Sequence, residues 1–181
     1  MRLFVALWPP PAVVAVLAGL DRPADPGVRW TSQANWHATL RFLGEVEESR
    51  LPDQIDALHA VGAGHPPRTV SLGPATALLG PGNLIAPVTD VDDLAAAARA
   101  AFGSGDDQGE RFVGHLTIAR ARGRRRLPRA LAGQPIEASW TATEVTLVSS
   151  RPGRAADGGS AYEVLATARL SAAPPEPPAR G

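Results

Sequence analysis

"HATLRFLGEV" (residues 37–46) and "VGHLTIAR" (113–120) carry one pattern twice: histidine, any residue, threonine, aliphatic, inside runs that otherwise read as buried strands. Side chains two apart on a strand share a face, so His37 pairs with Thr39 and His115 with Thr117, with Leu40, Phe42, Leu116 and Ile118 as the apolar remainder. A single such pair is ordinarily a buried histidine satisfied by a neighbouring hydroxyl or carbonyl. Two copies in equivalent surroundings point instead to a shared site. Ahead of the first lie a strand, "RLFVALW" (2–8), and a helix, "AVVAVLAGL", opened by Pro10 or Pro11. Ahead of the second lie a strand, "LIAPV" (84–88), and a helix, "DVDDLAAAARAAFG" (90–103), with Asp at its start and Gly at its end. This repeated order, over 2–43 and 84–121, predicts an α+β fold. It would be bilobal, with two pseudo-symmetric lobes of largely antiparallel sheet around a central cleft that brings His37 and His115 together.

Between the repeats, "EESRLPDQIDALHAV" (47–61) predicts a helix and "RTVSLGPATALL" (68–79) a strand. Beyond them, "GRRRLPRALAG" reads as a basic loop with a short helix, and "ASWTATEVTLVSS" and "AYEVLATARL" as two strands around the loop "RPGRAADGGS". Residues 1–170 then form a single bilobal domain, and 171–181, "SAAPPEPPARG", a flexible Pro/Ala-rich tail with nothing to bury.

Composition removes several chemistries. There is no cysteine, which excludes disulfides, thiolate catalysis and sulfur-ligated zinc. All 18 basic residues are arginine, so Schiff-base chemistry and a P-loop lysine are excluded as well. A formal net charge of zero argues against a protein that coats nucleic acid through bulk electrostatics. No apolar run approaches the length of a membrane span or a signal peptide, and a cytoplasmic protein is expected, with no membrane association.

Two histidines suit displacement at phosphorus. Imidazole titrates near neutrality, so one ring can act as base on the entering water while the other gives a proton to the departing oxygen. Threonine hydroxyls can donate to the nonbridging oxygens, and an arginine can neutralise their charge. Arg120 is the expected arginine, although regular strand alternation would turn it away from His115 and Thr117.

These stretches, with the opening "MRLFVAL" and the closing "LVSS" and "YEVLATARL", resemble the RNA 2′,3′-cyclic phosphodiesterases, also called 2′-5′ RNA ligases, of the two-histidine (2H) phosphoesterase superfamily. The likeness covers roughly residues 1 to 170, and the tandem motif at this spacing is specific. It implies metal-independent hydrolysis of a terminal 2′,3′-cyclic phosphate to a 2′-phosphate, without a cofactor, with ligation as the reverse reaction. His37 would be the proton donor to the 3′ oxygen and His115 the proton acceptor from water. Thr39, Thr117 and Arg120 would hold the phosphate, and Phe42 would contact the substrate end. Ala38 stands where the family usually has Leu, and Gly114 where it usually has Pro, which predicts a looser entry to the second strand. Expected partners are RNA 3′ ends or small cyclic-phosphate nucleotides, with no obligate protein partner and a monomeric state. The alternatives are a noncatalytic RNA-end binding module and a phosphodiesterase for a small cyclic nucleotide.

Other features read more simply. His59 and His65 are expected to be solvated or packed, Trp30 and Trp36 to pack rather than stack a base, and Asp90, Asp92 and Asp93 to favour a helix start rather than bind metal. "RARGRRR" (120–126) divides evenly between a solvated loop and a guide for an RNA backbone.

Overall fold

The computed structural model describes residues 1–103, 111–155 and 159–171. The chain runs β1 (Arg2–Leu7), α1 (Pro11–Ala18), β2 (Val28–Trp30), β3 (Ala38–Glu45), α2 (Leu51–Ala63), β4 (Arg68–Leu72), β5 (Ala77–Leu79) and β6 (Asn83–Thr89). It continues through α3 (Asp92–Phe102), β7 (His115–Ala121), β8 (Ala138–Ala142), β9 (Glu144–Arg151) and β10 (Ala161–Arg169). The fold is α+β, as expected. The strands follow one path, β10-β9-β1-β3-β7-β6-β4-β8, with β2 added on β7 and β5 on β6, and every pairing is antiparallel.

That path is symmetric about its middle. Outward from β3 and β7 lie β1 and β6, then β9 and β4, then β10 and β8. Each half contains the two strands of one repeat, β1 with β3 and β6 with β7, and along the chain a helix separates the members of each pair, α1 in the first and α3 in the second. At the seam, β3 and β7 share one paired position, Ala38 with Leu116. Farther along, β2 takes over the edge of β7, Val28–Trp30 against Ala119–Ala121, and the Thr31 amide donates to the Ile118 carbonyl at 2.9 Å. The two halves therefore meet at their motifs and diverge beyond them, which opens the cleft.

Alternation assigns the two faces of β1. Leu3, Val5 and Leu7 enter the main core with Leu17, Leu58 and Leu94 of the helices, each at most 1 % exposed. Burying a leucine fully contributes about 1.5–3 kcal/mol, so this layer anchors the sheet to its helices. Phe4 and Ala6 point the other way, into a smaller cluster with Val148, against which Trp8 and Tyr162 pack. Helix α2 crosses β10 so closely that a Cβ on Gly62 would come within 2.7 Å of the Arg169 carbonyl oxygen.

Three local expectations need correction. "RTVSLGPATALL" is two strands, β4 and β5, because Gly73 and Pro74 break the run and the halves pair with different stretches of β6, on the edge opposite β7. "ASWTATEVTLVSS" is also two strands, and Thr143 alone links β8, in one lobe, to β9, in the other. A one-residue link between opposite parts of the path requires the sheet to curl. The short strand β2 has no counterpart in the sequence reading, where its residues fall in the segment ahead of the first motif. The proposed tail lies, from residue 172 onward, outside the described residues.

Candidate active site

The register of β7 carries one irregularity and that of β3 two, at Leu40 and at Leu43, and the first of these matches the one on β7. Along β3, Val5 pairs with Arg41 and Ala6 with Thr39, so Leu40 is an extra residue. Along β7, Leu84 pairs with Ala119 and Ile85 with Thr117, so Ile118 is extra. Each is a β-bulge at the aliphatic fourth position of its motif, and a bulge reverses which face the following side chains take. Phe42 and Arg120, each five residues after its histidine, thereby return to the histidine's face. Phe42 is 40 % exposed in the cleft. Arg41, 1 % exposed, turns to the helix side, where its Nη2 donates to the Gly103 carbonyl at 2.6 Å, just past α3. The bulge thus overturns the alternation argument that turned Arg120 away.

The seam brings the motifs face to face. In antiparallel register, one step to either side of Ala38 and Leu116 sets His37 opposite Thr117 and Thr39 opposite His115. All four line a cleft of about 460 Å³ with Phe42, Arg120, Arg2, Arg29 and Tyr162. Both histidines are held alike: Nδ1 of His37 lies 2.7 Å from the Asn35 carbonyl oxygen, and Nδ1 of His115 2.7 Å from that of Val113. A carbonyl only accepts, so each ring carries its proton on Nδ1 when neutral, and Nε2 is left to exchange a proton with a substrate.

Electrostatics separate the two rings. Burial is the largest influence on His37 and lowers its pKa to about 4, opposed by the Asn35 carbonyl and reinforced by the Arg120 and His115 charges. Burial also lowers the His115 pKa, with Arg120 acting in the same direction and the Val113 carbonyl against it. Three aromatic rings surround His37: Phe4 at 4.8 Å between centroids, Tyr162 at 5.1 Å edge-on, and Trp8 at 5.3 Å. Trp8 is itself fixed by donating Nε1–H to Thr146 at 2.8 Å.

Arg120 is braced from both sides. Its Nη1 donates to Asn83 Oδ1 at 2.8 Å, and its Nη2 lies 3.5 Å from Thr117 Oγ1. With that oxygen accepting from the guanidinium, the Thr117 hydroxyl hydrogen is available to a phosphoryl oxygen. Gly114 does not loosen the entry to β7. Its carbonyl accepts from the Val88 amide at 2.9 Å, and a Cβ there would sit 2.3 Å from the Val88 oxygen.

Sequence reasoning missed Asn83, Tyr162, Phe4 and Trp8. Alternation in "RLFVALW" held a signal, since both faces of that strand are apolar and only one can meet the helices. Tyr162 is the chain's single tyrosine, and nothing in its neighbourhood marks it. Trp36 is 1 % exposed beneath the Arg22 guanidinium and packs as expected, whereas Trp30 lines the cleft. His59 is exposed, and His65 bonds the Val61 carbonyl away from the cleft. Asp92 and Asp93 open α3, and Asp93 accepts from the Leu94 amide and from Arg68. Beyond Arg120, the arginines at 122 and 124–126 are exposed.

The sequence model of the family LigT like Phosphoesterase matches residues 7–77, a span that holds the first motif and stops before the second. The whole fold is similar to TT0787 of Thermus thermophilus, at 26 % identity and a TM-score of 0.80, over 95 % of this chain and 99 % of that one. It is also similar to E. coli LigT complexed with 3′-AMP, at 24 % identity and a TM-score of 0.69, over 94 % and 98 %. The MHV ns2 PDE domain shares the fold at 13 % identity and a TM-score of 0.53, over 91 % and 100 %. No curated protein matches the sequence.

Proposed function

We propose that this chain is a LigT-like phosphoesterase of the two-histidine superfamily and that it hydrolyses RNA ends bearing a 2′,3′-cyclic phosphate to a 2′-phosphate. The observation that carries this reading is the pair of facing H-x-T motifs, with both imidazoles held through Nδ1 and Arg120 beside them. Water attacks phosphorus as His115 Nε2 takes its proton. The bond from phosphorus to O3′ breaks as His37 Nε2 gives a proton to that oxygen, leaving a 3′ hydroxyl and a 2′-phosphate. Thr39, Thr117 and Arg120 offset the charge on the nonbridging oxygens, and Phe42 flanks the substrate end. In the free protein burial disfavours a charged His37, so the proton that it gives as the acid has to be held in the presence of substrate. The phosphodiester brings the negative charge that allows it to hold a proton. Attack by a 5′ hydroxyl in place of water would give a 2′-5′ linkage.

The two imidazoles supply both the base and the acid of the proposed step, and no carboxylate lines the cleft among the described residues. Among the described residues no helix is long and apolar enough to cross a membrane. A cytoplasmic monomer acting on RNA 3′ ends agrees with this reading, and the bound 3′-AMP of E. coli LigT supports a nucleotide ligand.

The test is turnover of an oligonucleotide 2′,3′-cyclic phosphate in EDTA. A 2′-phosphate should form, and His37→Ala and His115→Ala should each lose about 10² to 10⁴ in kcat. A 3′-thio cyclic phosphate, whose thiolate departs without a proton, should restore turnover to His37→Ala and not to His115→Ala. Saturable binding with no product over hours selects a noncatalytic binding module instead.

A further inference from the structure

A second cavity, about 240 Å³, adjoins the cleft across the seam and shares Thr39, Phe42 and His115 with it. Its remaining wall comes from Leu40, Leu79, Arg99, Arg111, Phe112 and Val113. Two features set this cavity apart. Four large apolar residues of the described chain are substantially exposed, Val16, Phe42, Val113 and Val164, and two of them, Phe42 at 40 % and Val113 at 42 %, lie here together. Apolar surface concentrated in one concave place marks a binding surface rather than a failure of burial. Beside it stand two arginines, one in the last turn of α3 and one just ahead of the second motif, and both are exposed. Neither forms an ion pair with a carboxylate of the described residues.

Aromatic faces next to exposed guanidinium groups are the chemistry of a single-stranded nucleic acid platform: a base stacks on the ring and the backbone phosphate meets the cation. We infer that this cavity is a second nucleotide subsite, which takes the base next to the terminal one against Phe42 and Phe112 and its phosphodiester on Arg99 and Arg111. The inference rests on the phosphodiesterase reading above and adds to it where the nucleotide next to the terminal one is held. Phe42 then stands between the two subsites, and the second base is held through the same residue that flanks the reacting end.

The test compares adenosine 2′,3′-cyclic phosphate with the dinucleotide ApA ending in the same cyclic phosphate. In the unaltered protein the dinucleotide KM should be about tenfold lower or better, the size expected of one stacked base. The double substitution Arg99→Ser with Arg111→Ser should bring the two KM values together. Equal KM values in the unaltered protein, or a double variant that keeps their ratio, overturn the subsite. If neither compound is hydrolysed, the catalytic reading fails, and fluorescence titration with the dinucleotide and mononucleotide 2′-phosphates applies the same comparison to binding. There, too, a ratio that survives the double substitution overturns the subsite.

Discussion

His37 and His115 begin from the same chemistry and are driven to different protonation behaviour by their surroundings. Both titrate below the ordinary 6.5, His37 near 4, because burial disfavours the charged ring. The profile of kcat/KM against pH reports the free protein, and the productive form needs one proton on the pair. That singly protonated form is most populated between the two macroscopic values. We therefore expect the kcat/KM optimum to lie between about 4 and 6.5, read from initial rates across a buffer series; an optimum at pH 7.5 or above would mean that burial does not govern these rings. The same shift acts on stability. Below 6.5 the unfolded chain binds a proton that folded His37 refuses until about 4, so stability falls with falling pH across that window, by up to about 1.4 kcal/mol per pH unit. At this scale the sequence spoke clearly for the His and Thr pairs, whose spacing is local. It was silent on Asn83 and Tyr162, which reach the cleft from β6 and β10, strands with no motif of their own.

Two bulges convert a spacing of five into a shared face. Without the extra Leu40 and Ile118, Phe42 and Arg120 would turn toward the helices, and the cleft would lose an aromatic ring and a cation. The equivalence is exchanged in kind: the position that carries Phe42 in one lobe carries Arg120 in the other. A symmetric frame thereby offers an apolar side and a phosphate side. Alternation rules assume unbroken register, which is why the sequence could nominate Arg120 for its chemistry only against the geometry that regular alternation predicts. The entry to β7 depends on a close backbone approach that the sequence suggested in the opposite sense, since glycine ordinarily loosens a strand. Gly114→Ala puts a Cβ 2.3 Å from the Val88 oxygen, so the strand start must move and carry His115 with it. We expect a loss of about 1–3 kcal/mol in urea denaturation together with a fall in kcat of at least about tenfold. Unchanged values of both would show that β6 yields to the added methyl group.

The whole chain is neutral, yet the described lining of its cleft carries Arg2, Arg29, Arg120 and two histidines with no carboxylate. The repeated order of strand and helix was enough to foresee two lobes and a shared cleft. It could not foresee that β8 and β9 join opposite lobes through Thr143, because local patterns fix what an element is and not which edge receives it. The charge arrangement is a property of that assembly, since the lining residues come from both halves. A neutral molecule has little long-range attraction for RNA, and at about 0.1 M salt fields fade over about 10 Å, so binding should depend on the phosphates actually held. For a dinucleotide cyclic phosphate with two phosphates held, log kcat/KM should fall against log salt with a slope of about 1.4, at about 0.7 per single-strand phosphate. Arg124 and Arg126 are exposed beyond the cleft, and Arg124→Ser with Arg126→Ser should leave that slope unchanged. A slope shallower by about 0.7 in this variant would mean that the basic loop holds a phosphate, and that the RNA path leaves the cleft along β7 rather than through the Phe42 side.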